Sequence, residues 1–393
     1  MNASEYWKST KLSRLACLAV ALLSPLSWAE QPAPALQDHF HGFASVGYIA
    51  TTGNNFYGDT RNGGDIQYYE AGLNGFAQLH PNLSISGQIL SRKAGATDDG
   101  KLRLDYGLFD YQLPAEQTTR YGLRLGRVRN ALGFYNESRD VVFTRPSILL
   151  PQSAYLEGTG VRELVFSSDG GQLYADWDHD TNHTSVRLTL ARDETLSHQT
   201  LENLFGPLSS VVTGAKMKHP VFAQILHEMD GGRERLALSY VDTKLSGTLN
   251  LPPPFGPSSA SVDAQIYMLS AQYNAEDWSL TSEYTLTSTR TEQFGSNSLN
   301  RSDGIYLQFQ YRFTPEWTGL LRQDIAYADR NDRSNDVSRD STIGLSWAFR
   351  PEWLLSTEYH QIGGTGGIPL ADNRGRQLSP HTRLLAVMLG YRF

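Results

Sequence analysis

The sequence LLAVMLGYRF, Leu384 to Phe393, alternates large apolar side chains with smaller or mixed ones. Every second residue is large and apolar: Leu385, Val387, Leu389, Tyr391 and Phe393. Because successive side chains of a strand point to opposite faces, this pattern predicts a strand with one apolar face. A membrane barrel and a soluble sandwich both finish on such a strand, so the rest of the chain has to decide between them.

The ending on Phe393, preceded by Tyr391 and one further residue, resembles the closing strand of bacterial outer-membrane β-barrels. This resemblance implies an all-β fold, a transmembrane antiparallel β-barrel, in the bacterial outer membrane. It also implies contact with outer-membrane lipid and lipopolysaccharide, and recognition of the last strand by the barrel-assembly machinery.

The N-terminus has the layout of a secretory signal peptide. Lys8, Lys11 and Arg14 precede an apolar run from 15 to 26, and residues 27–29 supply a small-x-small cleavage pattern. The run is about a dozen residues long, too short to cross a bilayer as a helix. We therefore predict a signal peptide at 1–29 and one barrel domain at 30–393.

The composition excludes several other classes of protein. Without residues 1–29 the net charge changes from −7 to −9, which argues against a nucleic-acid partner. Cys17, the only cysteine, lies within the predicted signal peptide, so the exported chain has no disulfide. No run of 18 apolar residues follows it, so a membrane protein with this sequence has to span as a closed barrel.

Short turns recur between alternating segments at 80–83, 275–278, 314–317 and 350–353, and three of them lead into a Trp. Together with the aromatic residues around them they predict an aromatic girdle at one membrane interface. The predicted girdle contains Trp278, Trp317, Trp353, Phe313, Phe349 and Phe393. Core aromatic residues beside turns are the structural alternative.

The connections at the other rim are longer and polar, and we expect loops at 52–65, 93–100, 293–302, 329–338 and 363–380. Short turns on one rim and long loops on the other are typical of outer-membrane barrels. Seventeen segments have strand character, including 160–168, but an odd number would not leave both termini on one side. We predict 16 strands, with 18 as the alternative. The region 129–220 is the uncertain one, with 141–150 as an extra strand candidate and a short helix at 201–212.

The stretch from 120 to 145 has a local charge of +4, and the apolar loop 130–158 follows its strand. We expect this loop to fold into the barrel and narrow it. Arg120 and Arg124 are predicted to face the lumen, whereas Arg127 and Arg129 fall on the other register, past the apolar band. The candidate constriction residues are Arg120, Arg124, Arg127, Arg129, Glu137, Arg139, Asp140 and Arg145.

The layout of GRVRNALGFYNESRD, residues 126–140, resembles the region after an early strand in general and substrate-selective Gram-negative porins. In that family an inward loop with charged residues forms the constriction, so the resemblance implies a diffusion channel. Arginines there would favour anions. The alternative is that they pair with lumen carboxylates or lie at the lipopolysaccharide interface. Porins of this size also resemble trimer formers, which implies a homotrimer, although no sequence feature demonstrates one.

Other chemistry has weaker support in the sequence. Asp176, Asp178 and Asp180 alternate and could hold Ca²⁺, although a solvated acidic rim at a hairpin is the favoured explanation. No nucleotide-binding or serine-hydrolase motif is present, and we expect no cofactor and no enzymatic activity. The hypotheses carried forward are a water-filled porin, a barrel enzyme, and a closed structural or adhesin barrel.

Overall fold

The structure, a computed structural model, describes residues 39–114, 118–157, 161–254, 256–334 and 337–393. The predicted signal peptide lies outside these residues. The described residues form one antiparallel sheet of sixteen long strands and the two-residue β8. The strands are β1 His39–Thr52, β2 Asp65–His80, β3 Leu83–Ala94, β4 Asp98–Leu113, β5 Thr119–Arg129, β6 Ser167–His179, β7 Asn182–Ala191, β8 Glu194–Thr195, β9 Val212–Met229, β10 Glu234–Asn250, β11 Pro257–Asn274, β12 Trp278–Gln293, β13 Ser296–Arg312, β14 Trp317–Tyr327, β15 Val337–Arg350, β16 Trp353–Gly364 and β17 His381–Arg392.

The sheet closes on itself because β17 pairs with β1 over ten residues, from Phe43–Arg392 to Thr52–Arg383. Beyond this ladder the backbones of Gly42 and Phe393 exchange two hydrogen bonds, of 3.0 and 3.2 Å between N and O. Each remaining long strand pairs with its neighbours in chain order, and β7 pairs directly with β9. The fold is therefore a closed antiparallel 16-stranded barrel, as the sequence predicts.

The secondary structure described within 129–220 differs from the prediction. The candidate strand 160–168 is wrong, because 162–165 form a short helix and β6 begins only at Ser167. The segment 141–150 is a series of turns and not a strand. The helix expected at 201–212 is present, but it begins earlier. The described α-helices are α1 Gln152–Tyr155, α2 Arg162–Val165 and α3 His198–Phe205.

No helix in the described part of the chain is long and apolar enough to cross a membrane.

Two of the predicted long loops are wrong. Most of 93–100 and 293–302 is strand, so β3 and β4 are joined by three residues and β12 and β13 by two. Polar residues were expected to mark loops, but here the strands continue past the apolar zone, where both faces carry polar side chains. The long connections are described at 53–64, 130–157 with 161–166, 192–211, 328–334 and 365–380, and all of them start from the same rim.

The outer face of the barrel is apolar in its middle and aromatic near the short turns. Trp317 and Trp347 stack with ring centroids 5.1 Å apart and an interplanar angle of 9°. Ring contacts continue along the same rim through Phe349, Trp353 and Tyr391 to Phe393. Trp278 contacts Tyr273 and Phe309, and Phe313 contacts Tyr311. The six residues predicted for the girdle thus lie at one rim, and Trp347 and Tyr391 join them.

Candidate functional site

The connection between β5 and β6 is called the internal loop, and its described residues, 130–157 and 161–166, lie inside the barrel. Ile148, Leu149 and Leu150 are at most 3% exposed. One apolar cluster packs Ile148 against Tyr68 and Met388 of the wall, and a second packs Leu150 against Met268 and Tyr306. Burial of these side chains offsets the cost of placing backbone in the interior. Because β2 and β11 stand on opposite sides of the barrel, the loop crosses the lumen.

Three carboxylates of the wall hold the backbone of the internal loop. Glu283 of β12 accepts a hydrogen bond of 2.9 Å from the N–H of Phe134, and Asp324 of β14 accepts one of 3.3 Å from the N–H of Ser153. Glu358 of β16 accepts hydrogen bonds from the N–H groups of Ile148 and Leu149. Buried N–H groups need acceptors, and the loop has little secondary structure of its own to supply them. The wall therefore fixes the loop at three separate strands.

Glu283 is the most extensively bonded of these carboxylates. It also accepts hydrogen bonds from the hydroxyls of Tyr155, Tyr306 and Ser270, at 2.7, 2.8 and 2.6 Å. Tyr155 belongs to α1 of the internal loop, whereas Tyr306 and Ser270 belong to the wall. Four donors on one fully buried carboxylate form a satisfied polar network, the kind of arrangement that gives a buried site one geometry.

A buried ionic cluster joins the other side of the loop to β2, β3 and β4. Arg92 contacts Glu70 at 3.2 Å, Asp98 at 3.3 Å and Glu157 at 3.8 Å. Arg139 pairs with Glu157 at 3.1 Å, and Arg145 pairs with Glu70 at 2.8 Å. The full cluster contains the arginines 92, 103, 129, 139, 145 and 162 and the carboxylates of Glu70, Asp98, Asp105, Asp140, Glu157 and Glu163.

The six arginines and six carboxylates of the ionic cluster balance in charge. Burial raises the pKa of Glu157, but the guanidinium groups of Arg139, Arg92 and Arg162 outweigh this effect and hold its pKa at about 2. The glutamate is therefore ionised at neutral pH, and the cluster consists of paired charges. It is not a ring of unpaired arginines.

The structure brings together four of the eight predicted constriction residues. Arg129, Arg139, Asp140 and Arg145 belong to the ionic cluster. Arg129 was expected past the apolar band, but its guanidinium turns inward from the end of β5 and contacts Asp105 at 2.6 Å. The side chain of Glu137 is exposed, and only its carbonyl takes part, as an acceptor for Arg129.

The other three predicted arginines are separate from this cluster. Arg124 lines the wall, where it pairs with Asp110 at 3.0 Å and lies over the ring of Tyr174. Arg127 pairs with Asp169 at 3.3 Å and with Glu194 at 3.7 Å. Arg120 is half exposed and lies 3.8 Å from Asp178.

Sequence reasoning missed the wall partners of the loop, which are Glu70, Arg92, Asp98, Arg103, Asp105, Glu283, Asp324 and Glu358. The available signal was a charged residue on the polar face of a strand whose other face is apolar.

The three aspartates weighed as a Ca²⁺ site do not form one cluster. Asp176 pairs with Arg187 at 2.8 Å, Asp178 lies 2.6 Å from His183, and Asp180 is exposed in the turn after β6. Within the described ranges no three His, Cys, Asp or Glu side chains are placed to hold a metal ion. Asp176 is buried and Asp180 is exposed, so the three carboxylates lie in different environments.

Two long connections, 53–64 and 365–380, interlock above the internal loop and are called the mouth loops. Asn55 and Asn373 exchange two hydrogen bonds of 2.9 Å, and Asn54 donates to the carbonyl of Ser379 at 2.8 Å. Tyr57 and Ile368 are buried in the same apolar cluster as Ile148. The mouth loops and the internal loop thus share one core.

Asp372 joins the mouth loops to the turn after β3. It accepts hydrogen bonds of 2.8 Å from the N–H of Tyr57 and 2.7 Å from the N–H of Ala96. Burial raises the pKa of Asp372 to about 6, although these N–H groups oppose the shift. Next to the same turn, Glu202 of α3 pairs with Arg374 at 2.9 Å.

No protein-family model and no curated protein matches this chain. Among solved structures, it is similar to the anion-selective porin from Comamonas acidovorans, with a TM-score of 0.58, 13% identity and coverage of 91% of this chain and 100% of that one. It is also similar to the outer membrane channel DcaP of Acinetobacter baumannii, with a TM-score of 0.56, 13% identity and coverage of 91% and 97%.

The trimer form of OmpT, an outer membrane protein of Vibrio cholerae, matches with a TM-score of 0.55, 11% identity and coverage of 92% and 100%. These similarities extend over nearly the whole length of each chain, at identities that show the fold alone. The chain has the fold of outer-membrane β-barrels of the porin type.

Proposed function

We propose that this chain is an outer-membrane channel for the passive diffusion of small hydrophilic solutes or ions. The observation that carries the proposal is the internal loop, which narrows the lumen of a barrel with an apolar outer face and is held by carboxylates of the wall. A barrel of this size without such a loop would leave a wide aqueous passage. The fold shared with porins and with an outer membrane channel supports the same function.

The anion preference expected from the arginines has a weaker basis than the channel itself. Each arginine of the ionic cluster has a carboxylate partner, and so does Arg124 on the wall. We therefore propose that size and hydrogen bonding select the solute, and that the sign of its charge has a smaller effect. No cofactor and no catalytic step enters this proposal.

Localisation in the outer membrane, lipid and lipopolysaccharide around the apolar face, and insertion by the barrel-assembly machinery through β17 belong to the same proposal. A homotrimer is the assembly we propose, since one structural neighbour is a trimer form.

The deciding experiment is single-channel conductance of the purified barrel in a planar bilayer under a salt gradient. We expect discrete steps and a reversal potential close to zero. Arg124→Ala leaves Asp110 unpaired, so we expect its reversal potential to shift towards cations. A folded, heat-modifiable barrel that never conducts would refute the channel.

A specific observation favours a second candidate, a closed structural or adhesin barrel. The mouth loops and the internal loop share one apolar core, a packing that is expected of a closed barrel. If conductance is absent but appears when residues 365–380 are shortened, the barrel is a channel in its closed state. If both forms are silent, the closed structural barrel is the better explanation.

A further inference from the structure

An apolar groove runs over the outer face of β13 to β16, and we call it the outer groove. Its walls and floor are formed by Phe309, Gly319, Leu321, Ile343, Thr357 and Tyr359. Gly319 and Thr357 are the small residues of one cross-strand row that runs Tyr311, Gly319, Leu345 and Thr357. Gly319 leaves a gap between the bulkier Tyr311 and Leu345, and Thr357 leaves space on the other side of Leu345. Its volume is about 740 Å³.

The outer groove continues into a second depression of about 600 Å³, with which it shares Phe309, Leu321, Ile343 and Tyr359. This second part ends on a row of polar residues, Gln323, Ser341 and Gln361, which lie opposite one another in register. One end of the combined groove is therefore wholly apolar, and the other end is polar.

Two exposed arginines stand at the polar end, and we call them the basic rim. Arg383 of β17 lies directly opposite Gln361 in register, and Arg339 precedes Ser341 by two residues on β15. Neither guanidinium has an ion pair with any residue that the structure describes.

The carboxylates of the same strands do not neutralise the basic rim. Asp324, Asp340 and Glu358 are buried on the lumen side. Asp303 of β13 is held by Arg333 at 3.2 Å. The outer surface at this height is therefore positively charged.

The height of the basic rim matches the edge of an apolar membrane layer. Trp347 of the aromatic rim and Arg339 are eight residues apart on β15, which is about 27 Å along a strand. A tilt of about 35–45° reduces this to about 20 Å along the barrel axis, close to the apolar band of about 25 Å in outer-membrane barrels. Long arginine side chains reach the headgroup level from such a position.

We propose that the outer groove and the basic rim form a binding site for one phosphorylated lipid of the outer leaflet. An acyl chain lies in the groove, and the phosphate pairs with Arg339 and Arg383. This inference rests on the proposed membrane location. A phosphate fits better than a second copy of the chain, because a second copy would bury two unpaired cations beside an apolar contact.

The test uses native mass spectrometry of the full-length folded barrel in detergent, with purified bisphosphorylated lipid A as the probe. We expect wild type to retain one lipid per protomer, and the double variant R339Q/R383Q to retain it on the order of tenfold less well. The matched control R290Q/R301Q removes two exposed arginines that lie ten residues along β12 from Leu280 and eight residues along β13 from Phe309, and it should retain lipid as wild type does.

A second variant tests the apolar end without touching charge. Thr357→Leu fills the space beside Leu345, and we expect it to weaken lipid retention while the barrel stays heat-modifiable. Equal retention in R339Q/R383Q and wild type would overturn the proposal. So would efficient disulfide cross-linking of Thr357→Cys between protomers, since a second copy would then occupy the groove. Conductance is measured on the same samples as a separate test of the channel. Loss of lipid retention and loss of conductance can therefore be told apart.

Discussion

The hydroxyl of Tyr155, on the internal loop, donates a hydrogen bond of 2.7 Å to the carboxylate of Glu283 on β12. The same carboxylate accepts from Tyr306 of the neighbouring strand, so one side chain of the wall positions both the loop and the wall around it. Such a carboxylate is a structural weak point, because its loss leaves several buried donors unpaired.

We expect Glu283→Gln to loosen the internal loop without unfolding the barrel. The amide keeps one acceptor but introduces two donors where four donors already converge, which should cost about 1–3 kcal/mol. Single-channel records should show larger and noisier conductance. The control is Asp110→Asn, which removes a wall carboxylate that contacts Arg124 and Tyr174. Quiet, unchanged conductance in Glu283→Gln would contradict the anchoring role.

Arg139→Met should destabilise the protein strongly, since Arg139 is fully buried and its removal takes from the buried Glu157 its closest cationic partner, leaving Arg92 at 3.8 Å. Breaking a buried pair costs about 3–5 kcal/mol. Arg120→Met is the matched control: its partner Asp178 is 3.8 Å away and both side chains are half exposed, so the cost should be about 0–1 kcal/mol. Urea unfolding of both variants measures the difference, and similar midpoints would count against the ionic cluster as a support.

Because of Asp372, we expect the stability of the interlocked mouth loops to depend on pH. Its pKa in the closed mouth is about 6, above its ordinary value of 3.8, because burial disfavours the ionised form. The closed mouth binds the proton more tightly, so this stabilisation is fully present below about pH 4 and is lost as the pH rises through about 6. The charged group that acts on it most is Lys93, which lowers the pKa.

We therefore expect the open probability of single channels to rise between pH 5 and pH 8, by about tenfold. Asp372→Asn should abolish this rise. Asp59→Asn, in the exposed part of the other mouth loop, 53–64, should keep it. A pH response that survives in Asp372→Asn would assign the titration to another group.

Gly304→Ala should displace α1 from the wall. A Cβ at Gly304 would lie 2.8 Å from the Cβ and 3.0 Å from the carbonyl oxygen of Ser153, and that backbone cannot move without disturbing the loop. Overpacking of this kind costs about 1–3 kcal/mol. Gly363→Ala provides the control, since no atom lies within 4 Å of its added Cβ. Limited proteolysis of the internal loop compares the two variants, and equal cleavage would show that α1 tolerates the methyl group.

The barrel was predictable because period-two alternation and short turns repeat along the chain. Sixteen separate segments therefore give the same local evidence for a strand. The segment 160–168 was wrongly predicted as a strand. Its apolar residues belong to the internal loop, where they are buried inside the barrel without forming a strand. The polar residues of 93–100 and 293–302 were misread for the opposite reason, since a strand that projects into solvent loses its alternation.

The site was predictable only in part. The apolar character of 148–150 indicated a loop that folds inward, and the arginines near it were found. Their partners were not, because Glu70 and Arg145 are 75 residues apart and nothing local links them. Whether a charged side chain is free or paired depends on which strands the closed barrel places face to face, and a single sequence does not contain that information.

The junction of β1 with β17 has a kinetic consequence. Gly42 and Phe393 meet from opposite ends of the described chain, so the ring closes only after the longest separation in the sequence has been bridged. Closing so large a loop costs conformational entropy, and this cost arises before the contacts inside the closed ring can offset it. Until that moment two strands present open edges to any neighbouring chain. The internal loop cannot reach all of its wall partners earlier, so the filled interior is a late product of assembly.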